Sequence, residues 1–464
     1  MLNPKILLVG AVLWWTAGGA HAATATAPIL VGAAKLDITP ELPIRLSGYQ
    51  GRADEATRAE TRLYARALAI GGGDAAGAAK PAVVITVELI GVGAETTEAV
   101  AAALAKSHGI ERARVAICAT HVHSGPALAD VLPFMFSKDL PAEETGRIER
   151  YTAKLRTQLV AVAQAALADR KPGQLAWGEG TADVAAQRRV IVDGKWKAFG
   201  VDPKGPVDHA LPVLRAVDPR GAIRAVLLNY ACHCTTLEGK DNYLHGDWAG
   251  LAAQQLERTH AGAVALVAIG CGADANPHPR GAPAVAGHGA KIAAEVERVL
   301  AGAMRPLGGV TAAQRRDIAL PLDPVPTREA LQARTGKGAR VASAYAAQQH
   351  LATLDAGRPL ATSVPYPVQA WSFGGELTMV FLAGEVVAEY GLRLKRELGG
   401  RGVWVNAYAN AVPCYIPSRR MYPEGGYEVD ASMDYYGWPA RLAEGTEDLI
   451  VGTVRALAAE AAAK

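Results

Sequence analysis

Two histidines set two positions apart have the clearest chemical potential in this sequence. They are His121 and His123, in Thr120-His121-Val122-His123-Ser124-Gly125-Pro126. They close an apolar run, and in an extended backbone an i, i+2 pair projects from one face. Ser124-Gly125-Pro126 then turns the chain, so both imidazoles are expected to face a loop-lined cleft. Neutral imidazole suits Zn2+, and a hydrolytic zinc site keeps one position open for water. A polar strand end with surface histidines presents the same pair. A second group sharpens the reading: His233 also closes a strand, and His245-Gly246-Asp247 follows a short loop later, in a chain with 11 histidines.

Further polar groups sit at similar junctions. The turn Gly270-Cys271-Gly272-Ala273-Asp274-Ala275-Asn276-Pro277-His278 has glycines that allow close backbone approach, with Asp274 and Asn276 able to orient or bind polar groups. Tight connection chemistry alone would also account for it. Glu385 follows an apolar strand and Gly384, where a helix start favours a carboxylate with or without a metal. Tyr408, Tyr415, Tyr422 and Tyr427 lie among glycine and proline in a loop that either lines a pocket or simply covers the fold. The five cysteines, Cys118, Cys232, Cys234, Cys271 and Cys414, do not have zinc-ribbon spacing and are expected as small core residues.

These groups need elements to hold them. Apolar β-rich runs predict strands over 82–89, 114–119, 222–230, 264–269 and 377–382. Helical patterns are expected over 96–107, 142–169 (stopped by Pro172 and Gly173), 247–260 (with Asp247 as N-cap), 285–300, 385–398 and 440–462. The segment 321–367, with a helical stretch over 328–354, reads as an excursion within one domain. The expected fold is α/β, mixed β-sheets flanked by helices, with the polar motifs at the C-terminal ends of strands.

Residues 1–22 have the layout of a secretory signal peptide: Lys5, the apolar run 6–15, and Ala20-His21-Ala22 as a cleavage site. The mature chain, 23–464, is then expected to be secreted or periplasmic, with no stable membrane span. With 48 basic and 45 acidic residues the net charge is +3, which offers no electrostatic argument for nucleic acid.

Taken together, the motifs resemble the neutral/alkaline non-lysosomal ceramidase family in its N-terminal catalytic domain. Ala34-Lys35-Leu36-Asp37-Ile38-Thr39-Pro40 is similar to the family's opening strand, with Ser47-Gly48-Tyr49 after it. The 120–126 motif is similar to the family's most specific signature. Residues 229–236, 383–394 and Cys414-Tyr415-Ile416 resemble its other ligand segments. The resemblance implies one catalytic domain over 23–464, with zinc on His121, His233, Glu385 and Tyr415. It implies His123 beside the metal as an acid/base residue, Tyr427 as oxyanion stabiliser, and Arg188 or Arg189 contacting substrate. Zinc would activate water against an N-acyl amide, an activity belonging to sphingolipid metabolism in the family. Two departures stand out. Asn276 occupies the position of the family's serine before the proline, and the chain ends near where the catalytic domain would, before the family's immunoglobulin-like domain.

The leading expectation is an exported zinc hydrolase cleaving an amide, or an ester-like bond, in a small or lipid-like substrate. A second is the same metal shell acting on a carbohydrate or lactone, with Asn276 and Asp274 binding hydroxyls. A third is a non-catalytic zinc-containing binding protein, in which His245 and Asp247 would block the open position.

Overall fold

A computed structural model describes residues 29–72, 80–399 and 402–462. The expected signal peptide, 1–22, lies outside these.

The chain opens with β1 (Ile29–Asp37), β2 (Tyr64–Ile70) and β3 (Ala82–Val87), then α1 (Ala94–His108), β4 (Val115–Ala119) and α2 (Ala142–Ala168). Next come β5 (Lys171–Thr181), a hairpin of β6 (Ala185–Val192) and β7 (Lys195–Asp202), β8 (Ala210–Val217) and β9 (Ile223–Tyr230). α3 (Asp247–Thr259), β10 (Val264–Ile269), β11 (Ala275–Pro277), α4 (Ala282–Ala301) and β12 (Arg305–Leu307) follow. The last third holds β13 (Ala312–Pro321), α5 (Arg328–Arg334), α6 (Val341–Asp355), β14 (Ser363–Phe373), β15 (Leu377–Leu382) and β16 (Glu385–Val386). It ends with α7 (Ala388–Glu397), β17 (Gly402–Asn406), β18 (Tyr415–Ile416), α8 (Met433–Tyr436) and α9 (Thr446–Ala462).

The fold is the expected mixed α/β. A nine-stranded sheet runs β10-β9-β8-β5-β1-β2-β3-β4, with β12 on β5, and it turns back so that β10 packs against β2, β3 and β4. A second sheet, β13-β14-β15-β17, lies against it. Alternation explains why the strands read as continuous apolar runs. In β3, Val83, Ile85 and Val87 join the core under α1 and α2, while Ala82 and Val84 join the core shared with Trp371, Phe381 and Trp404 of the second sheet. Strands buried on both faces have no polar side to show. α7 and α9 cover the far side of the second sheet. Among the described residues no helix is long and apolar enough to cross a membrane.

Several expected boundaries shift. Pro172 and Gly173 follow the end of α2 as expected, and they also open β5, where Gly173 pairs with Ile29. The excursion 321–367 is a pair of helices between antiparallel neighbours β13 and β14. Its helical stretch divides into α5 and α6, with Gly338 at φ 88° between them. α3 is capped by Gly246, with Asp247 its first residue, and α9 starts at Thr446 after Gly445 at φ 96°. All five cysteines are buried and free.

Candidate active site

The His-x-His pair converges for a different reason from the one its spacing predicts. β4 ends at Ala119, and His121 is in the left-handed region at φ 56°, so the backbone is not extended there. His121 Nδ1 lies 2.7 Å from the Ile90 carbonyl, so it carries a proton, and in the neutral ring Nε2 keeps its lone pair. His233 repeats the device: Nδ1 is 2.9 Å from the Gly272 carbonyl, and the buried Trp248 indole donates to the His233 carbonyl at 2.9 Å. The loops after β4 and β9 are locked together where Val122 bridges Cys234.

His123 is held differently. Its Nε2 lies 3.1 Å from His121 Nε2, but its buried Nδ1 has no hydrogen-bond partner. Packing orients the ring instead: Tyr49 lies 5.0 Å away, centroid to centroid, and Arg52 donates to the His123 carbonyl at 2.5 Å. Gly48, at φ 95°, lets the chain pass under the ring, where a Cβ would sit 2.6 Å from His123 Cγ. Gly48→Ala is therefore expected to displace His123 while leaving His121 and His233 in place. Activity should fall about tenfold or more with metal content retained, as a misplaced catalytic group predicts. Loss of metal in parallel with activity would refute that separation.

Glu385 is not at a helix start. It lies in β16, paired in parallel with Tyr415 of β18, and α7 begins only at Ala388. Gly384, at φ 78°, is required here because a Cβ would lie 2.6 Å from the Cys414 carbonyl. This bridge aims Glu385 Oε2 at the histidines, 3.1 Å from His121 Nε2 and 3.2 Å from His233 Nε2. Oε1 accepts from the Tyr436 hydroxyl. The Tyr415 hydroxyl is 3.3 Å from His233 Nε2, and Tyr408 stacks on His121 at 4.3 Å.

The tautomers make this an unusual cluster. Burial, reinforced by the Arg188 charge, pushes His233 down to about 3, and burial with its neighbouring imidazoles drives His123 well below the usual range. His233 is thus neutral, and its Nε2 accepts from Arg188 Nη1 and the Tyr415 hydroxyl, each at 3.3 Å, while facing Glu385 Oε2, an oxygen with no hydrogen-bond partner of its own. Lone pairs of two imidazoles and a carboxylate converging within hydrogen-bond distance repel unless a cation stands among them. Nitrogen and carboxylate donors at this spacing suit zinc, and the donor nitrogens of His121, His123 and His233 lie within 4.8 Å of one another.

Of the two candidate arginines, Arg188 faces this group and Arg189 does not. Arg188 donates to Tyr415 Oη at 3.1 Å, Asn276 Oδ1 at 3.3 Å and Glu428 Oε1 at 2.9 Å. Burial would lower its pKa, but Tyr415 and Glu428 beside it raise it well above the ordinary value. Arg189 is turned to Glu428, Glu424 and the Gly425 carbonyl. Asn276 is in the site through Arg188. Asp274 is turned away from it, its oxygens accepting from Gln187 Nε2 and the Ala388 amide, both at 2.8 Å. Tyr427 packs its ring 5.3 Å from Tyr415. His245 and Asp247 stand apart: His245 Nδ1 accepts from the Asp247 amide, and Asp247 accepts from the Leu237 and Trp248 amides.

Residues 29–296 match the family model described as neutral/alkaline non-lysosomal ceramidase, N-terminal. The chain belongs to this family. Its fold is similar to the crystal structure of neutral ceramidase from Pseudomonas aeruginosa, at 20% identity and a TM-score of 0.69, over 95% of this chain and 75% of that one. It is also similar to a ceramidase complexed with C2, at 18% identity and a TM-score of 0.68, over 94% and 76% of the two chains. No curated protein matches the sequence. Family and fold make the chain a ceramidase-like hydrolase of amide bonds.

Several residues of this ceramidase-type site have no signal in the sequence. Tyr436 lies in Asp434-Tyr435-Tyr436, far from any motif, and reaches Glu385 through α8. Glu428 was visible only as the neighbour of Tyr427. Trp248 and Gln187 act through backbone and side-chain partners that only the folded chain brings near. Ser47-Gly48-Tyr49 was marked by resemblance alone; its place against His123 gives the motif a physical reason.

Proposed function

We propose that this chain is an exported zinc-dependent hydrolase that cleaves an N-acyl amide. The observation that carries the reading is the convergence of His121 Nε2, His233 Nε2 and Glu385 Oε2, with no proton to share between His233 and Glu385. Those three residues, with Tyr415, would hold the metal. When bound, zinc would polarise the scissile carbonyl and make water nucleophilic near neutral pH.

The remaining work belongs to the chain. In hydrolysis the water oxygen bonds to the carbonyl carbon, the C–N bond breaks, and the departing amine takes a proton. His121 and His233 each donate Nδ1–H to a carbonyl, whereas His123, held by packing, has an Nδ1 with no partner. An uncommitted ring nitrogen suits His123 to carrying the proton to the amine. Tyr427, its ring packed on Tyr415, would donate to the developing oxyanion, and Arg188 keeps Tyr415 and Asn276 in position. With His245 and Asp247 engaged elsewhere, they do not serve as blocking ligands, which favours catalysis over a purely structural metal. Export is proposed from residues 1–22, leaving the mature protein secreted or periplasmic; mass spectrometry of the mature N-terminus tests it.

Purified protein is expected to contain about one zinc per chain and to lose N-acyl amide turnover on chelation, with recovery on zinc addition. His123→Ala should keep the metal and lose roughly 10²–10⁴-fold in kcat. A wild type without metal, or chelator-resistant turnover, would remove the zinc reading; full activity in His123→Ala would remove that residue's role.

A further inference from the structure

Tyr427 has a second face. Beyond it, β7, the α5–α6 excursion and the loop leading to α9 line an open cavity of about 730 Å³, a volume suited to a small ligand. None of the three histidines lines it; Tyr427 is the wall it shares with the Glu385–His cluster. Resting on the hydrolase reading above, we infer that this cavity receives one half of the cleaved amide, and that this half is a neutral, polyhydroxylated group of sugar size.

The lining supports that class over an alkyl chain. Three carboxylates, Asp323, Asp430 and Asp434, face three guanidiniums, Arg334, Arg340 and Arg441. Arg441 pairs with Asp323 at 2.7 Å and with Asp430 at 3.5 Å, and Arg340 pairs with Asp434. An aliphatic chain would strip water from these charges and return no hydrogen bond. Equal numbers of each sign give no net attraction for an anion or a cation. Hydroxyls can both donate to the carboxylates and accept from the guanidiniums, replacing the water they displace. Flat apolar surface completes the match. Trp196, Trp438 and Tyr427 offer rings to the C–H face of a sugar-like ligand. Trp196 is fixed in place, since Gly426 lies so close that a Cβ there would be 2.4 Å from the indole Cγ.

The test compares N-acetylglucosamine, N-acetyl-dodecylamine and ceramide as substrates of the zinc-loaded protein, with binding of N-acetylglucosamine followed separately by ligand-observed NMR. Higher kcat/KM on the amino-sugar amide is expected. Trp196→Leu and Arg340→Gln should each raise its KM by about tenfold with kcat nearly unchanged. Preference for ceramide or the alkylamide, with both variants silent, would overturn the inference. If no amide is cleaved but N-acetylglucosamine binds and Trp196→Leu abolishes binding, the cavity assignment stands and the hydrolase reading fails. Absence of both binding and turnover of the sugar amide overturns the cavity assignment.

Discussion

Glu385→Gln is expected to abolish metal binding and activity while making the metal-free protein more stable. In the native cluster Glu385 Oε2 faces the imidazole nitrogens of His121 and His233 at 3.1 and 3.2 Å without a hydrogen-bond partner. A glutamine amide in that place turns an acceptor into a donor. Its N–H groups can donate toward His121 Nε2, His233 Nε2 keeps the bonds it already accepts from Arg188 and Tyr415, and the Tyr436 hydroxyl can still donate to the remaining oxygen. Satisfying such a buried group removes a penalty of about 1–3 kcal/mol from the metal-free protein. Among the described residues Glu385 is the only anion in direct contact with the two nitrogens, and losing it should collapse zinc affinity. Because a bound metal supplies several kcal/mol of charge stabilisation in the transition state, turnover should fall on the order of 10³-fold or more. Metal analysis, kinetics and melting in chelator together check this. A variant that keeps stoichiometric zinc, or melts below wild type in chelator, would contradict the acceptor-cluster account. Tyr436→Phe, which frees only the far oxygen of Glu385, should weaken metal binding by about 10–100-fold.

Glu428→Leu carries the largest expected loss of stability. Glu428 is fully buried and lies between two buried guanidiniums: Oε1 accepts from Arg188 and Oε2 from Arg189. Removing it leaves two cations facing each other without their shared anion. Breaking a buried pair in this way costs about 3–5 kcal/mol, a large part of the total stability of a typical domain. Arg189 retains Glu424 and the Gly425 carbonyl, so the damage should concentrate on Arg188 and, through it, on Tyr415 and Asn276. Urea unfolding measures the loss; a change below about 1 kcal/mol would mean that Arg188 and Arg189 are adequately paired without Glu428.

The order of strand and candidate ligand is legible because His121, His233 and Glu385 each follow an apolar run that has to be buried. β4 leads to His121, β9 to His233 and β15 to Glu385. The local geometry is not. Spacing made His121 and His123 neighbours on an extended face, whereas a left-handed residue at His121 brings them together. Glu385 looked like a helix N-terminus because a helix does begin three residues later. What places it is a parallel bridge to Tyr415, a long-range contact that leaves no periodic mark. β7 escaped detection for a related reason: it is nearly all exposed, so Lys195, Lys197, Phe199 and Val201 show no apolar alternation to read. The five cysteines, read as small core residues, are buried and unpaired as that role requires.

The β16–β18 bridge also ties metal capture to the completion of folding. The proposed ligand set runs from His121 to Tyr415, more than half the chain, and Glu385 and Tyr415 are aligned only when their two short strands have met. A fragment ending before Tyr415 would therefore lack the complete proposed metal site, and so would an early collapsed state. Contacts of such long sequence separation form late. Zinc, by selecting only the finished chain, would act as a latch on the native state, adding about 2.7 kcal/mol when free metal stands at a hundred times its dissociation constant.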